Sequence, residues 1–526
     1  MPLNELLPKA VKLFPQREAV VCGELRMDYR TFASRVWKLC HGLASLGVKR
    51  RDRVAVLHEN CHVFLEAYFA AAHLGAILVP LNFRLSPKEL AMILNDSGCR
   101  ILIAQAAFLD KVKEIPALVS GIERILWTQR SPEVLSGTHE LTYEALLENQ
   151  EEAPPRELTI EDQDIAHLYY TSGTTGRPKG VMLTHKNVKS HALGTIGDIQ
   201  LSDSDHWFHV APLFHLADAW ATFAITWVGG KHVIIPTFDP LKVLELIQKE
   251  KITLTNLIPT MLNMMVNHPN VNDFDYSSLR VLLSGGAPIA PEVVRRIIET
   301  FKCDYIQTYG MTETSPYLTM SILKHHLKDL GWDKQLEFKA STGREFINVS
   351  LKVVDEQGKE VARDNRQVGE IIVKGDIVTP GYWNMPEETG KAIKGGWLQT
   401  GDLAIVNEEE YVTIVDRKKD MILTGGENVY STEVENALYM HPAVLEAAVI
   451  GVPDPKWGEA VKACVVLKPG HQPTEGDIVA FCKENLAHYK APKSVEFLEA
   501  LPRTGSGKIY KKGLRDAYWQ EQEKKV

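Results

Sequence analysis

"RVAVLHENCHVFLEAYFAAAHLGAILVPLN", Arg53 to Asn82, decides the fold class. Its first residues form a short apolar run bounded by charge, the length and composition of a buried strand. The next block, "HVFLEAYFAAAHLG", is too long for a strand, rich in alanine and leucine, and stops at Gly75; it reads as a helix ended by glycine. "AILVPLN" returns to a strand. Working outward, "SPKELAMILNDSG" is a helix and "CRILIAQ" a strand, and far downstream "VLLSGGAPIA" is again strand and loop before "PEVVRRIIETF", a helix opened by Pro291. Strand and helix trading places at this spacing predict an α/β fold, with parallel-rich sheets covered by helices on both faces.

The chain has 526 residues, 45% of them apolar and 24% charged, which is ordinary globular composition and more than one hydrophobic core usually supports. "ENQEEAPPREL", about residues 148 to 158, is polar with two prolines and reads as a link between subdomains. Near residue 400 the texture changes. "GDLAIVNEEEYVTIVDRKKDMI" reads as two alternating strands around an acidic turn, and the short helices and strands beyond it suit a small α+β domain.

A formal net charge of −8 leaves no broad basic field, so nucleic acid is not an expected partner. The short basic run "KIYKKGLR" reads as a solvated face. Seven scattered cysteines with no C-x-x-C pair fit reduced thiols better than a disulfide frame or a zinc site. No signal-like N-terminus and no apolar stretch of spanning length is evident, so the expectation is a cytoplasmic protein without a transmembrane segment.

"YTSGTTGRPKG", Tyr170 to Gly180, packs three glycines, four hydroxyl residues counting its tyrosine separately, and a lysine into one loop. Such a loop suits an anion, with a phosphate the obvious guest. It is not the Walker loop, because Lys179 is preceded by Pro178 and followed by Gly180. "TYGMTET" offers Tyr309 to stack on a base, Gly310 for close backbone approach, and Glu313 to hold Mg²⁺. "TGDLA" supplies Asp402, suited to two ribose hydroxyls, "VDRKKD" supplies Arg417, and "LPRTGSGKIYKK" places Lys508 on a glycine-rich loop. Each has a plainer reading when taken alone: a solvated loop, a packed tyrosine, a capping glutamate, an ion pair between Asp402 and Arg417 in a hairpin, an exposed lysine.

Together these stretches resemble the adenylate-forming superfamily, which includes acyl-CoA synthetases, luciferase and the adenylation domains of peptide synthetases. The likeness runs through "YYTSGTTGRPKGVMLTHKN", "APLFH", "SGGAPI", "YGMTET", "GEIIVKG", "GYW", "TGDLA", "DRKKDMI", "GGENVYS" and "LPRTGSGK", in the family's order. The resemblance implies a large N-terminal adenylation domain, residues 1–418, with a small β subdomain, and a smaller mobile domain, residues 419–526. It implies that ATP and a carboxylic acid give an acyl-adenylate and pyrophosphate, after which the thiol of coenzyme A takes the acyl group and releases AMP.

By the same likeness Thr171, Ser172, Gly173, Thr174, Thr175, Gly176 and Lys179 cradle the phosphates, and Glu313 with Thr171 holds Mg²⁺. Gly286, Ala287, Pro288, Tyr309, Gly310, Met311, Thr312, Asp402 and Arg417 hold the nucleotide. Lys508 bridges the carboxylate and the α-phosphate, Lys419 is the hinge, His215 turns aside to admit the thiol, and Gly426 lets the pantetheine arm pass. A homodimer is compatible with this reading.

The acyl pocket is expected between "PLFHLADAWATFAITW", "NLIPTMLN" and "SGGAPI", with Trp220, Phe223, Trp227, Met261, Met264 and Met265 as candidate lining. No cation is placed for a second carboxylate, which favours an apolar monoacid. "ETSP" and the segment from "SILKHH" to "STGRE" resemble bacterial medium- and long-chain fatty-acyl-CoA synthetases. The alternatives are an aryl, branched or methylthioalkyl acid, or an acyl-AMP ligase that loads a carrier protein.

Overall fold

A computed structural model describes residues 2–129, 140–156, 158–171, 178–287, 289, 291–503 and 509–519. The chain divides into two compact units, Met1–Ser350 with Val373–Leu398, and Leu351–Ile372 with Gln399–Val526.

In the first unit β1 (Glu18–Cys22) and β2 (Leu25–Asp28) form a hairpin, after which β3 (Arg53–Leu57), β4 (Ile77–Pro80), β5 (Ile101–Ala104), β6 (Arg124–Trp127) and β7 (Glu140–Thr142) are separated mainly by helices. With β8 (Ile165–Thr171) and β9 (Lys179–Thr184) they build a seven-stranded sheet, order β7-β6-β5-β3-β4-β8-β9. All its neighbours are parallel except the β8–β9 hairpin. The local chemistry explains the helices. His62–Leu74 is buried on nearly every side, as its largely apolar sequence requires, and ends on Gly75 in the left-handed region at φ 61°. Pro87–Ser97 starts with a reciprocal cap between Ser86 and Glu89 and has proline at its first position.

The second sheet has nine strands. β10 (His206–His209), β11 (Lys231–Ile234), β12 (Leu254–Leu257), β13 (Val281–Gly285), β14 (Asp304–Gly310), β15 (Tyr317–Met320) and β16 (Arg344–Glu345) join β1 and β2 in the order β16-β15-β14-β13-β12-β10-β11-β1-β2. The run from β14 to β1 is parallel throughout. The first fifty residues thus serve the far edge of a sheet whose other strands lie some two hundred residues downstream. Tyr68 on helix His62–Leu74 ties the two sheets, its hydroxyl 2.6 Å from that of Tyr169 and 3.0 Å from the carbonyl oxygen of Leu213.

In the second unit residues 402–406 of the strand Trp397–Val406 pair antiparallel with Val412–Arg417. Beyond it, strands Glu427–Val429, Ile422–Thr424, Gly458–Leu467 and Val444–Asp454 lie side by side, and Ser494–Phe497 adds in parallel to Gly458–Leu467. Helices Ser431–Tyr439 and Glu475–Asn485 bury Val434, Leu438, Ile478 and Cys482 against Val449, Val461 and Val465. The parallel-rich α/β unit and the smaller α+β unit are the architecture the sequence pattern predicts.

Candidate active site

Because β10, β12, β13 and β14 run parallel and adjacent, the segments that leave their C-terminal ends emerge along one edge of the sheet. That edge is where open α/β sheets bind ligands. "APLFH" leaves β10, the segment Ile258–Met264 leaves β12, Gly286 and Ala287 leave β13, and Met311 to Glu313 leave β14. Two glycines permit the close packing there. A Cβ on Gly310 would run into the carbonyl oxygen of Pro316, and one on Gly285 would sit 2.5 Å from Thr308 Oγ1.

Gly286 takes φ 87°, and the exposed Ala287 offers its carbonyl oxygen to Gln307 Nε2 at 2.8 Å. Tyr309, Gly310, Met311 and Thr312 are half-buried. The turn Thr312–Thr314 is fixed on both sides: Met311 N–H donates to Thr314 Oγ1 (3.1 Å), and Ser315 Oγ donates to the Ile377 carbonyl oxygen (2.7 Å).

This turn carries Glu313, only 7% exposed, whose carboxylate accepts a 2.9 Å hydrogen bond from the Tyr382 hydroxyl. Burial, then the Glu313 charge, pushes the Tyr382 phenol well above its ordinary range, so it stays a donor. Lys179 lies over the face of the same ring, 5.2 Å from its centre, with its ammonium 2.6 Å from Glu388. Glu388 is held down to about 2 by Lys179 and then Lys391. Tyr382 therefore links the lysine of the glycine-rich stretch to the expected magnesium carboxylate. Sequence reading quoted "GYW" without giving the tyrosine a role, and it missed Glu388, which no motif marks.

Thr171 ends β8 half-buried and pairs in register with Lys179 on β9, so the glycine-rich stretch of the sequence falls between two paired strands. Gly180 makes room for it, since a Cβ there would lie 2.9 Å from the Tyr170 ring. Ser172, Gly173, Thr174, Thr175, Gly176 and Pro288 lie outside the described residues, as does Lys508.

His215 is half-buried at the start of the short helix Leu216–Ala219, its ring 4.6 Å from that of Phe214. A fully buried polar chain holds that helix. Trp207 Nε1 donates to Asp218 Oδ1 (3.0 Å), Asp218 Oδ2 meets His209 Nδ1 (2.7 Å), His209 Nε2 meets His232 Nδ1 (2.9 Å), and His232 Nε2 meets Thr226 Oγ1 (2.9 Å). Nothing in the sequence signals this chain, because its members come from two strands and two helices.

Of the candidate acyl-pocket residues, Phe223 and Met265 are core: Phe223 packs on Tyr68 and Phe69, and Met265 sits among Leu262, Val243 and Phe301. Trp227 and Met261 are half-buried and Met264 is 53% exposed. Trp220 is buried with its Nε1 shared between the Ala217 carbonyl oxygen (3.1 Å) and the Tyr317 hydroxyl (3.0 Å).

The second unit brings Asp402 and Arg417 together across its hairpin, with Arg417 Nε 3.4 Å from Asp402 Oδ1. Lys419 follows in the turn after this strand, its ammonium pushed down by burial and then by Arg417. Gly425 and Gly426 form a two-residue hairpin turn with φ 60° and 86°, the conformation that demands glycine.

A hard oxygen donor set suits Mg²⁺, which characteristically takes one or two carboxylates and completes its shell with water and phosphate oxygens. A buried Glu313 oriented by Tyr382 fits that pattern; among the described residues no cluster of three or more His, Cys, Asp or Glu gathers that could hold a metal ion.

The AMP-binding enzyme profile matches residues 7–383 and the AMP-binding enzyme C-terminal domain profile matches residues 433–508. A feruloyl-CoA synthase of Amycolatopsis sp is 38% identical over 508 residues, covering 96% of this chain and 97% of its own. A long-chain-fatty-acid–CoA ligase of Thermus thermophilus is 37% identical over 527 residues, covering 98% and 95%. The crystal structure of ATP-bound MatB from Rhodopseudomonas palustris superposes with a TM-score of 0.87 at 30% identity over 98% of this chain and 99% of that one. The chain therefore belongs to the AMP-binding enzyme family, as an adenylate-forming acid–thiol ligase that works with ATP, Mg²⁺ and coenzyme A.

Proposed function

We propose that the acid this ligase activates is a largely apolar monocarboxylate of medium-chain or aryl size. The observation that carries the reading is the Trp220–Tyr317 hydrogen bond, because two large buried side chains bonded to each other beside the edge where "APLFH" and "YGMTET" emerge favour a short chain or flat ring over a long alkyl tail. The medium- or long-chain fatty acid expected from sequence is thereby kept at its shorter end, and the relatives' names span both aryl and alkyl acids.

The residue roles we propose follow the chemistry. The reaction joins two anions, a carboxylate and the α-phosphate, so the barrier is electrostatic and positional. Thr171 and Lys179 with Ser172, Gly173, Thr174, Thr175 and Gly176 hold the leaving phosphates. Glu313 holds the metal, whose part is to neutralise phosphate charge. Gly286, Ala287, Pro288, Tyr309, Gly310, Met311 and Thr312 seat the adenosine and α-phosphate, Asp402 takes the ribose hydroxyls and Arg417 assists. Lys508 supplies the cation at the reacting carboxylate. Residues 419–526 act as the mobile domain with Lys419 as pivot, and His215 and Gly426 serve the thiol step.

Pyrophosphate release, measured across C2 to C18, branched and aromatic acids with and without coenzyme A, tests the reading. Acid-dependent release with a maximum at medium-chain or aryl acids, and acyl-CoA formation when coenzyme A is added, is the expected result. A maximum at C16 to C18 refutes the proposed size.

A further inference from the structure

Asp96 is the penultimate residue of helix Pro87–Ser97, which Gly98 closes. A carboxylate in the last turn opposes the helix dipole, so the helix itself gains nothing from an acid at this position. Its partners lie far off in the chain. Asp96 Oδ2 accepts the Tyr170 hydroxyl at 2.6 Å, across 74 residues of sequence, and a bond to a carboxylate is of the stronger, charge-assisted kind. Burial, and then this bond, push the Tyr170 phenol well above its ordinary range, so it remains the donor. The main-chain carbonyl of Asp96 is one of those that a helix end leaves without an internal partner, and it accepts Trp383 Nε1 at 3.1 Å and Asn384 Nδ2 at 3.4 Å.

Both bonds lead to one glycine. Tyr170 pairs with Gly180 across the β8–β9 hairpin, and a Cβ on Gly180 would come within 2.9 Å of the Tyr170 ring and 3.2 Å of Trp383 Cβ, so the two aromatic residues close on it from either side. Trp383 N–H donates to the Gly180 carbonyl oxygen at 2.7 Å. The contacts therefore run in a closed circuit from Asp96 to Tyr170, Gly180, Trp383 and back to Asp96. The residue after Tyr170 is Thr171, the residue before Gly180 is Lys179, and the residue before Trp383 is Tyr382, whose hydroxyl bonds Glu313. Every member of the circuit except Asp96 is thus the immediate neighbour of a residue in the candidate site, and Asp96 is the point at which the circuit is fixed to a helix.

We propose that Asp96 is a positioning residue for ATP, acting through Tyr170 and Trp383 to hold Thr171, Lys179 and Tyr382 at the spacing that the leaving phosphates and the metal carboxylate require. This role rests on the phosphate functions proposed above for Thr171 and Lys179. Asp96 touches no reacting atom. Its effect is to tie both ends of the glycine-rich stretch and the donor to Glu313 to a single anchor, and a misplacement of about 1 Å in such a site can cost about 10²-fold in rate.

The test is steady-state pyrophosphate release by the full-length enzyme as ATP is varied, with the acid that the wild type turns over best in the panel above. Tyr170→Phe removes one hydroxyl from a half-buried ring, and Asp96→Ala removes its acceptor. Each is expected to lower kcat/KM for ATP by on the order of tenfold. The KM for the acid, and acyl transfer from its preformed adenylate, should stay within about twofold of wild type, which a general loss of structure would not allow. Asp96→Asn keeps an oxygen that accepts the hydroxyl and should recover kcat/KM for ATP to within about threefold of wild type. The double variant Tyr170→Phe with Asp96→Ala should lose no more than the worse single one, because both remove the same bond. Lys179→Ala separates this role from the functions it rests on. A loss of ATP use in Lys179→Ala with none in Tyr170→Phe or Asp96→Ala overturns the role of Asp96 and leaves the phosphate functions in place; no loss in any of the three overturns both. Acyl transfer that falls in step with ATP use overturns the positioning role as well.

Discussion

Replacing Lys511 by methionine should destabilise the second unit by about 3 kcal/mol, and the reason lies in a chain of four polar residues. Lys511 Nζ is 2.7 Å from Glu435 Oε1 and 2.7 Å from Ser431 Oγ. Ser431 in turn donates from its hydroxyl to Asp416 Oδ1 at 3.0 Å and from its backbone N–H to Asp416 Oδ2 at 2.5 Å. One ammonium thus serves two carboxylates. The Lys511 and Glu435 side chains are 18% and 14% exposed, and Asp416 is 3% exposed. Removing one partner of a buried pair costs about 3–5 kcal/mol, against at most about 1 for an exposed pair, and the residual exposure here puts the loss at the lower end of the buried range. Burial raises both carboxyl groups above their ordinary range, while Lys511 opposes the rise. A carboxyl whose folded pKa exceeds its unfolded value adds stability as pH falls through the folded pKa, so the Lys511→Met deficit should shrink as pH falls from neutral toward the ordinary carboxylate range. Hydrogen exchange of Val444–Asp454 and Gly458–Leu467 under urea reads this unit by itself. Adding Glu435→Gln to Lys511→Met should recover at least about 1.5 kcal/mol. A loss below about 1 kcal/mol, or additive single and double variants, would refute the reasoning.

Tyr382→Phe removes the donor that orients Glu313 and should raise the Mg²⁺ concentration for half-maximal pyrophosphate release by about tenfold; an unchanged titration would dismiss that role. Gly310→Ala forces a Cβ into the Pro316 carbonyl oxygen and should abolish adenylation while leaving hydrogen exchange of the second unit unaltered; near-wild-type turnover would mean the backbone there yields freely. Lys508→Ala should lower adenylation by about 10²–10³ while sparing acyl transfer from preformed acyl-AMP, and equal loss of both steps would count against a residue specific to the first. Glu388→Gln frees Lys179 from its carboxylate and should lower the KM for ATP without raising kcat; an unchanged KM would show that the ion pair does not compete with substrate.

The layered α/β order was legible because the elements around Arg53–Asn82 are announced by their own period and by start signals such as Ser86 and Pro87 and stop signals such as Gly75 and Gly98. The order of strands was not. That β1 joins β11 and that β8 lies beside β4 depend on pairings across some ninety to two hundred residues, which no local propensity encodes. Site chemistry divides the same way. Glu313, Tyr309 and Gly310 stand out because they crowd into one short motif at a strand end, and Asp402 and Arg417 prove to face each other in a hairpin whose acidic turn is readable. Tyr382 was hidden because its partners, Glu313 and Lys179, are sixty-nine and about two hundred residues away. Apolar spacing was ambiguous by nature: it marked Phe223 and Met265 as facing something apolar, and the packing makes that something Tyr68, Phe69 and the core around Leu262.

Along the line from Lys179 to Glu313 the charges alternate through a single ring. Glu388 and Lys179 form an ion pair, Lys179 rests on the Tyr382 face, and Tyr382 gives its proton-bearing edge to Glu313. Each group is thereby held by a partner before any phosphate arrives. Preorganisation of that sort lowers the reorganisation needed when charge moves, which raises the rate of the chemical step. On the phosphate-binding role proposed for Lys179, it would exchange a carboxylate for a phosphate, so part of the attraction for ATP would be offset by the bond it gives up. Loss of ground-state affinity at constant transition-state stabilisation appears as a higher KM with a preserved or higher kcat. On the proposed roles the alternating arrangement would serve turnover at abundant ATP rather than capture of scarce ATP, with Glu388, outside every recognisable motif, as the side chain that sets the balance.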